Sequence, residues 1–235
     1  YRSFYDYFSV RGLPITPPPY PLIAVVCKDR NDFSRYAATH AQRAGVGVLG
    51  YYSLDSNRVA VYDYGSKANS AAWKQNASVL IHEATHQTAF NTGIHSRYTP
   101  PPHWVAEGLA TLFEAPGIYD ARNNPRPEDQ INRERFRHFK ARMSRHRPEL
   151  LAWMIASDDM FRRDPLTAYS EAWALTFYLV ETQPRKYAEY LQVMQRRPPF
   201  VETSAKDRLA DFTSVFGSDW RMLEAQLLRF MADRG

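Results

Sequence analysis

The sequence predicts an α+β fold, with a small N-terminal sheet followed by a mainly helical C-terminal part. Three observations predict it. A β-branched run at 22–27 and an alternating hairpin at 46–64 open the chain. Apolar residues then recur at helical spacing through most of the remaining chain. No internal repeat, low-complexity tract or clear linker divides the 235 residues, a length that suits one domain.

Residues 1–20 are aromatic and proline-rich, ending in Pro17-Pro18-Pro19, and read as an extended arm ahead of a single domain over 21–235. The β-branched content of 22–27 predicts a buried strand. A helix is expected over 31–44, capped by Asn31 or Asp32. The hairpin has strands at 46–53 and 58–64 with Asp55-Ser56-Asn57 as its turn; Val59 and Val61 alternate with Arg58, Ala60 and Tyr62, as in a half-exposed strand. Gly45, Gly47 and Gly50 spell G-x-G-x-x-G. That string binds dinucleotides only between a preceding strand and a following helix. Here the order is reversed, so the glycines are assigned to the tight entry of the hairpin.

A helix over 70–91, with Ser70 as N-cap and Gly93 as its stop, completes a first part at 21–92. The second part, 93–235, opens with a loop stiffened by Pro100-Pro101-Pro102. A helix over 103–114 ends at Pro116-Gly117, and 118–130 is rich in turn residues. Further helices are expected at about 131–145, 148–156, 168–182, 184–196, 203–215 and 218–233.

Composition narrows the function. Apolar residues make up 44% and charged residues 23%, which argues for a packed core and against disorder. The net charge of +5 and pI near 9.3 are only mildly basic. The densest basic stretch is the helix at 131–147, where Phe136, Phe139 and Met143 recur at helical spacing. This marks a solvated basic face, with no motif for a nucleic-acid partner. Cys27 is the single cysteine, which excludes an internal disulfide and a cysteine metal site and predicts a buried, inert thiol. No apolar run reaches the length of a transmembrane segment. The chain starts at Tyr1 rather than Met, as expected of a processed or trimmed product, for example after removal of a signal peptide.

The chemistry concentrates in His82-Glu83-Ala84-Thr85-His86, an H-E-x-x-H motif. Residues four apart on a helix differ by about 40° in direction and about 6 Å in rise, so two imidazoles can converge on one ion. Glu83 points aside, placed to take a proton from water at the metal. With 7 histidines in the chain, random order yields this motif about once in a hundred such sequences. Catalytic zinc usually takes three protein ligands and a water. Candidates for the third are His95, His103, Glu107 and Glu114. A third histidine six residues after His86 is ruled out, because that position is Thr92. Glu107 lies in Trp104-Val105-Ala106-Glu107-Gly108-Leu109-Ala110, whose small residues permit close packing against the motif helix.

H-E-x-x-H followed about twenty residues on by W-x-x-E-G-x-A resembles the gluzincin metallopeptidases, the thermolysin-like group, and looks closest to a bacterial domain-of-unknown-function family grouped with them. The likeness covers about 46–182, including the softer Ala168-Tyr169-Ser170-Glu171-Ala172-Trp173. The resemblance implies a zincin-like fold, in which the hairpin sheet precedes the active-site helix and a Glu-ligand helix. It further implies a hydrolase, a zinc metalloprotease, with zinc on His82, His86 and Glu107. A peptide or protein substrate is expected along the strand at 58–64, and Tyr169 is expected to steady the oxyanion. An exported setting, periplasmic or extracellular, follows from the same likeness. One departure stands out. Thermolysin has an Asp four residues after its ligand Glu, orienting a histidine; here that position is Thr111, so either Thr111 or Glu114 must take the role.

The expected reaction uses a zinc-bound water with Glu83 as general base. Two alternatives remain at this point: a non-catalytic binding module that uses the basic helix 131–147, and a zinc hydrolase of a non-peptide substrate.

Overall fold

The computed structural model describes residues 1–13, 15–40, 48–63, 65 and 71–234. Its first half contains α1 (Arg2–Ser9), β1 (Ile23–Cys27), α2 (Arg30–His40), β2 (Gly50–Ser53), β3 (Arg58–Tyr62), α3 (Ala71–Asn91) and α4 (His103–Phe113). The second half is helical: α5 (Pro116–Tyr119), α6 (Arg133–Arg142), α7 (Pro148–Ala156), α8 (Asp159–Arg163), α9 (Pro165–Thr182), α10 (Pro184–Gln195), α11 (Ala205–Phe216) and α12 (Trp220–Ala232). Short 3-10 turns at Pro127–Gln130 and Met143–Arg145 flank α6. The fold is mixed α+β, as expected, with one three-stranded sheet among the described residues. Residues 14, 41–47, 64, 66–70 and 235 are not described, so Gly45, Gly47, Ser70 and the outer ends of the expected hairpin lie outside the described residues.

The strand order is β1-β3-β2. β1 runs parallel to β3, with Ile23 opposite Arg58 and Cys27 opposite Tyr62, and β2 pairs antiparallel with Gly50 opposite Val61. Two expectations are corrected here. β1 is an edge strand rather than a buried one: Ile23 and Val26 are 46% and 64% exposed. Its β-branched residues report strand preference, while burial depends on what covers the sheet. Cys27 turns inward with the half-buried Val25, and burial, reinforced by Asp32 and Asp29, pushes the Cys27 thiol pKa up. β3 is central, and both of its edges are paired across 58–62. A substrate strand therefore cannot pair with β3 over 58–62; among the described residues the outer edges belong to β1 and β2.

Gly50 has a specific reason to be glycine. A Cβ there would stand 2.7 Å from Val79 Cγ1 and 2.9 Å from Val61 Cγ1, so β2 crosses α3 at a distance no side chain allows. This close approach, rather than entry into the hairpin, uses the glycine. The hairpin tip is tied to α3 by polar contacts. Arg97 reaches Tyr52 Oη at 2.9 Å and the Leu54 carbonyl at 2.8 Å, and Gln87 donates to the Asn57 carbonyl at 2.7 Å.

α9 is the spine of the helical part. Trp173, Leu175 and Leu179 on it are fully buried, so it is apolar on nearly all sides, as a helix enclosed by others must be. The expected N-terminal arm is corrected as well. Arg2–Ser9 is helical, because Phe4, Tyr7 and Phe8 repeat at the three-four spacing that puts three rings on one face. Those rings pack on Phe113 at the end of α4, with centroid distances of 4.9, 5.2 and 6.4 Å. A second missed helix, α8, is a single short piece between Ser157 and Asp164, below the length at which periodicity speaks.

Candidate metal centre

α3 is a 21-residue helix that ends where Gly93 adopts φ +81°. Its threonines fold their hydroxyls back along the helix. Thr85, Thr88 and Thr92 donate to the carbonyls of Ile81, Ala84 and Thr88 at 2.7, 2.7 and 2.8 Å. His82, Glu83 and His86, near the helix middle, are half-buried.

α4 begins after Pro102 and buries Trp104, Val105, Leu109 and Leu112 completely. Gly108 does not serve the approach to α3, as its sequence context suggested. A Cβ on Gly108 would lie 2.6 Å from the Ala172 carbonyl oxygen and would also strike Thr176, so the close contact is with α9. Glu107, on the neighbouring face, is the residue that meets α3.

The ligand atoms converge. His82 Nε2 is 3.1 Å from Glu107 Oε2, His86 Nε2 is 3.6 Å from Glu107 Oε1, and the two Nε2 atoms are 3.2 Å apart. One ligand atom from each of His82, His86 and Glu107 lies within 4.8 Å of the others, the single such group among the described residues. Zn–N and Zn–O bonds near 2.0–2.2 Å at tetrahedral angles separate ligand atoms by roughly 3.3 Å, so the observed spacings fit one face of such a shell. Electrostatics agree. Burial opposes protonation of His82, but the Glu107 and Glu114 carboxylates outweigh it and raise its pKa well above the ordinary value. Burial opposes ionisation of Glu107, yet His86 and His82 hold its carboxyl well below the usual range. A divalent cation would supply the positive charge that these paired groups now draw from protons.

Glu114 decides the open question behind His82. Its Oε1 is 2.8 Å from His82 Nδ1, and its Oε2 accepts from Asn132 Nδ2 at 2.8 Å. Thr111 is instead spent on its own helix, donating to the Glu107 carbonyl at 2.6 Å. Asn132 also donates to the Thr111 carbonyl at 3.0 Å and caps α6 through Arg135 N–H, so a single side chain joins both helices. Nothing in the sequence pattern marked Asn132 beyond its place ahead of a helical run.

Glu83 is half-buried and takes no hydrogen bond or ion pair among the described residues. It is nevertheless close enough to Tyr169 to act on its charge. The Tyr169 ring lies 6.4 Å from that of His82. Burial, then Glu107 and Glu83, push the phenol pKa upward, so it stays protonated. The structure thus brings His82, Glu83, His86, Glu107 and Tyr169 together. His103 lies further out, its ring 5.7 Å from Phe161, which in turn meets Tyr169 at 5.4 Å. His95 is buried against Phe90; burial drives its pKa down to about 3, and neither ring nitrogen has a partner among the described residues.

A separate buried cluster went unmarked in the sequence. His146 Nε2 is 2.8 Å from Glu171 Oε2, and its Nδ1 is 2.9 Å from Glu224 Oε1. Glu171 interrupts an otherwise apolar stretch of α9, which was the available signal. One histidine bridging two carboxylates through opposite ring edges ties helices together and cannot gather them around one ion.

No curated protein and no solved structure matches the chain. A family model described as "Protein of unknown function (DUF1570)" matches residues 76–201, a span that holds His82, Glu83, His86, Glu107, Glu114 and Tyr169. That span is more than half of the 235 residues, and the chain belongs to the DUF1570 family.

Proposed function

We propose that the chain is a zinc-dependent hydrolase with a zincin-like fold, a peptidase of the gluzincin type. The observation that carries this reading is the convergence of His82 Nε2, His86 Nε2 and a Glu107 oxygen at ligand spacing, with Glu114 behind His82 and an unpaired Glu83 alongside. Two nitrogens and one carboxylate oxygen suit zinc, leaving a position open. Zinc, when bound, polarises a carbonyl and lowers the pKa of water towards 7.

The chain's own groups do the rest. Glu114, fixed by Asn132, holds the His82 ring in one orientation and tautomer. Glu83 has no competing partner, so its carboxylate accepts the proton of the attacking water and returns it to the leaving amine. Tyr169, kept protonated by burial and by the nearby carboxylates, donates its hydroxyl hydrogen to the developing oxyanion.

The test is a pair of variants. Glu83→Gln should keep zinc at wild-type stoichiometry while peptide hydrolysis falls by about 10²–10⁴-fold. Glu107→Ala should lose zinc. Full hydrolysis by Glu83→Gln, or zinc retained at full affinity by Glu107→Ala, defeats the reading.

A further inference from the structure

Arg135 is a half-buried arginine without an anion among the described residues. Its backbone N–H takes the Asn132 cap at the start of α6, and the same Asn132 holds Glu114. Its guanidinium carbon sits over the Tyr169 ring. The two steps in series, 5.3 Å from guanidinium to ring and 6.4 Å from ring to imidazole, put the charge at most about 12 Å from His82. Arg11, Arg197 and Arg208 are half-buried too and pair with Glu181, Asp211 and Asp158, while Arg97 holds neutral oxygens of Leu54, Tyr52 and Asn57. Arg135 makes no ion pair among the described residues, and its Nε is buried without a hydrogen-bond acceptor. A buried donor on a charged group is costly to leave unmade. The Arg208 Nε is buried without an acceptor as well, but its terminal nitrogens hold Asp158, whereas Arg135 has no such anion among the described residues.

The chemistry of the missing partner is specific. A guanidinium presents a planar fork of donors that fits a carboxylate through two parallel hydrogen bonds. The path from the ligand triad to Arg135 passes the Tyr169 ring, the group aimed at the oxyanion in the proposed reaction. An extended peptide advances about 3.3–3.6 Å per residue, so the available span holds roughly three residues.

We infer that Arg135 receives a carboxylate of the substrate, lying within roughly three residues of the bond presented to His82, His86 and Glu107. The substrate class is then a peptide with its free C-terminus, or an acidic side chain, close to the scissile bond. This inference rests on the peptidase reading for the word substrate, but the carboxylate site itself can be tested separately.

The probes are trialanine with a free C-terminus, the same peptide amidated, and amidated Ala-Ala-Asp. Binding is measured by calorimetry on the full chain carrying Glu83→Gln, with and without added zinc, so that no turnover intervenes. The free acid should bind at least about tenfold more tightly than trialanine amide, the effect of one charge-assisted contact. Adding Arg135→Met should bring that preference to about twofold or less, and Arg135→Lys should keep only part of it, since lysine lacks the fork. If the Met variant melts below the assay temperature, the Lys variant carries the comparison. Recovery of affinity by the aspartyl amide adds side-chain carboxylates to the ligands accepted; failure to recover restricts them to the C-terminus. Equal binding of free acid and both amides, preference that survives Arg135→Met, or no binding of any probe overturns the assignment. Zinc stoichiometry on the same samples separates the two ideas. Carboxylate preference without zinc uptake defeats the peptidase reading alone, and zinc uptake without preference defeats the Arg135 site alone.

Discussion

Glu114 Oε1 stands 2.8 Å from His82 Nδ1, while the opposite nitrogen of that ring faces Glu107 Oε2 at 3.1 Å. The ring is held between two carboxylates, one placed to orient it and one placed to share a metal with it under the proposed function. Removal of an orienting partner of this kind typically costs 10–100-fold in metal affinity. Glu114→Gln should therefore weaken zinc binding by about 10–100-fold, read by competition with a chromophoric chelator. Unchanged affinity in Glu114→Ala contradicts the role.

Gly108 closes α4 onto α9, with the Ala172 carbonyl oxygen 2.6 Å from where a Cβ would sit. Alanine in an exposed helix would gain about 1 kcal/mol over glycine. Here the obstacle is backbone, which cannot rotate away, and overpacking costs about 1–3 kcal/mol. Gly108→Ala should lower the melting temperature by several degrees, and a rise would show that the helices are not in contact there.

His146 predicts a pH dependence of stability. Burial works against its protonation, but Glu171 from α9 and Glu224 from α12 raise its pKa above the ordinary 6.5, with the Phe139 ring of α6 as the neutral neighbour. A raised folded pKa means that protonated His146 stabilises the fold fully below 6.5. The contribution is lost as pH rises through the folded value. Subtracting a His146→Gln melting curve from wild type across roughly pH 5–9 should give a difference that shrinks with rising pH, a slope governed by linkage. Glu171→Leu, which leaves His146 one carboxylate, should lessen that slope; a flat wild-type difference rules the account out.

α1 is part of the core. Phe113 touches Phe4, Tyr7 and Phe8, and it directly precedes Glu114. Phe113→Ala should destabilise the fold by about 3–5 kcal/mol, and Phe4→Ala by a similar amount, in denaturant titrations. A change below about 1 kcal/mol for Phe4→Ala would mean that α1 is not seated on α4.

Much of the arrangement was readable because it is local. His82 and His86 share a helix face by spacing alone, and the same periodicity located α3, α4, α7, α9 and α10 to within a few residues. The rings of α1 carried the same signal at Phe4, Tyr7 and Phe8, but the prolines beyond them suggested an extended chain. Strand content was equally legible at 23–27, whereas its exposure was not, since nothing local says whether a strand lies at the edge of a sheet.

The local pattern already offered two imidazoles and a carboxylate on one helix, a further carboxylate in a second helix, and an α+β order of elements. Which of these groups meet was settled by packing between elements. It put Glu114 rather than Thr111 behind His82, turned Gly108 towards α9, paired both edges of β3, and left Arg135 beside Tyr169 without a counter-charge among the described residues. The reason is physical: helical and strand periods are set by neighbouring residues, whereas contacts between elements depend on packing, and packing is settled by the whole core at once.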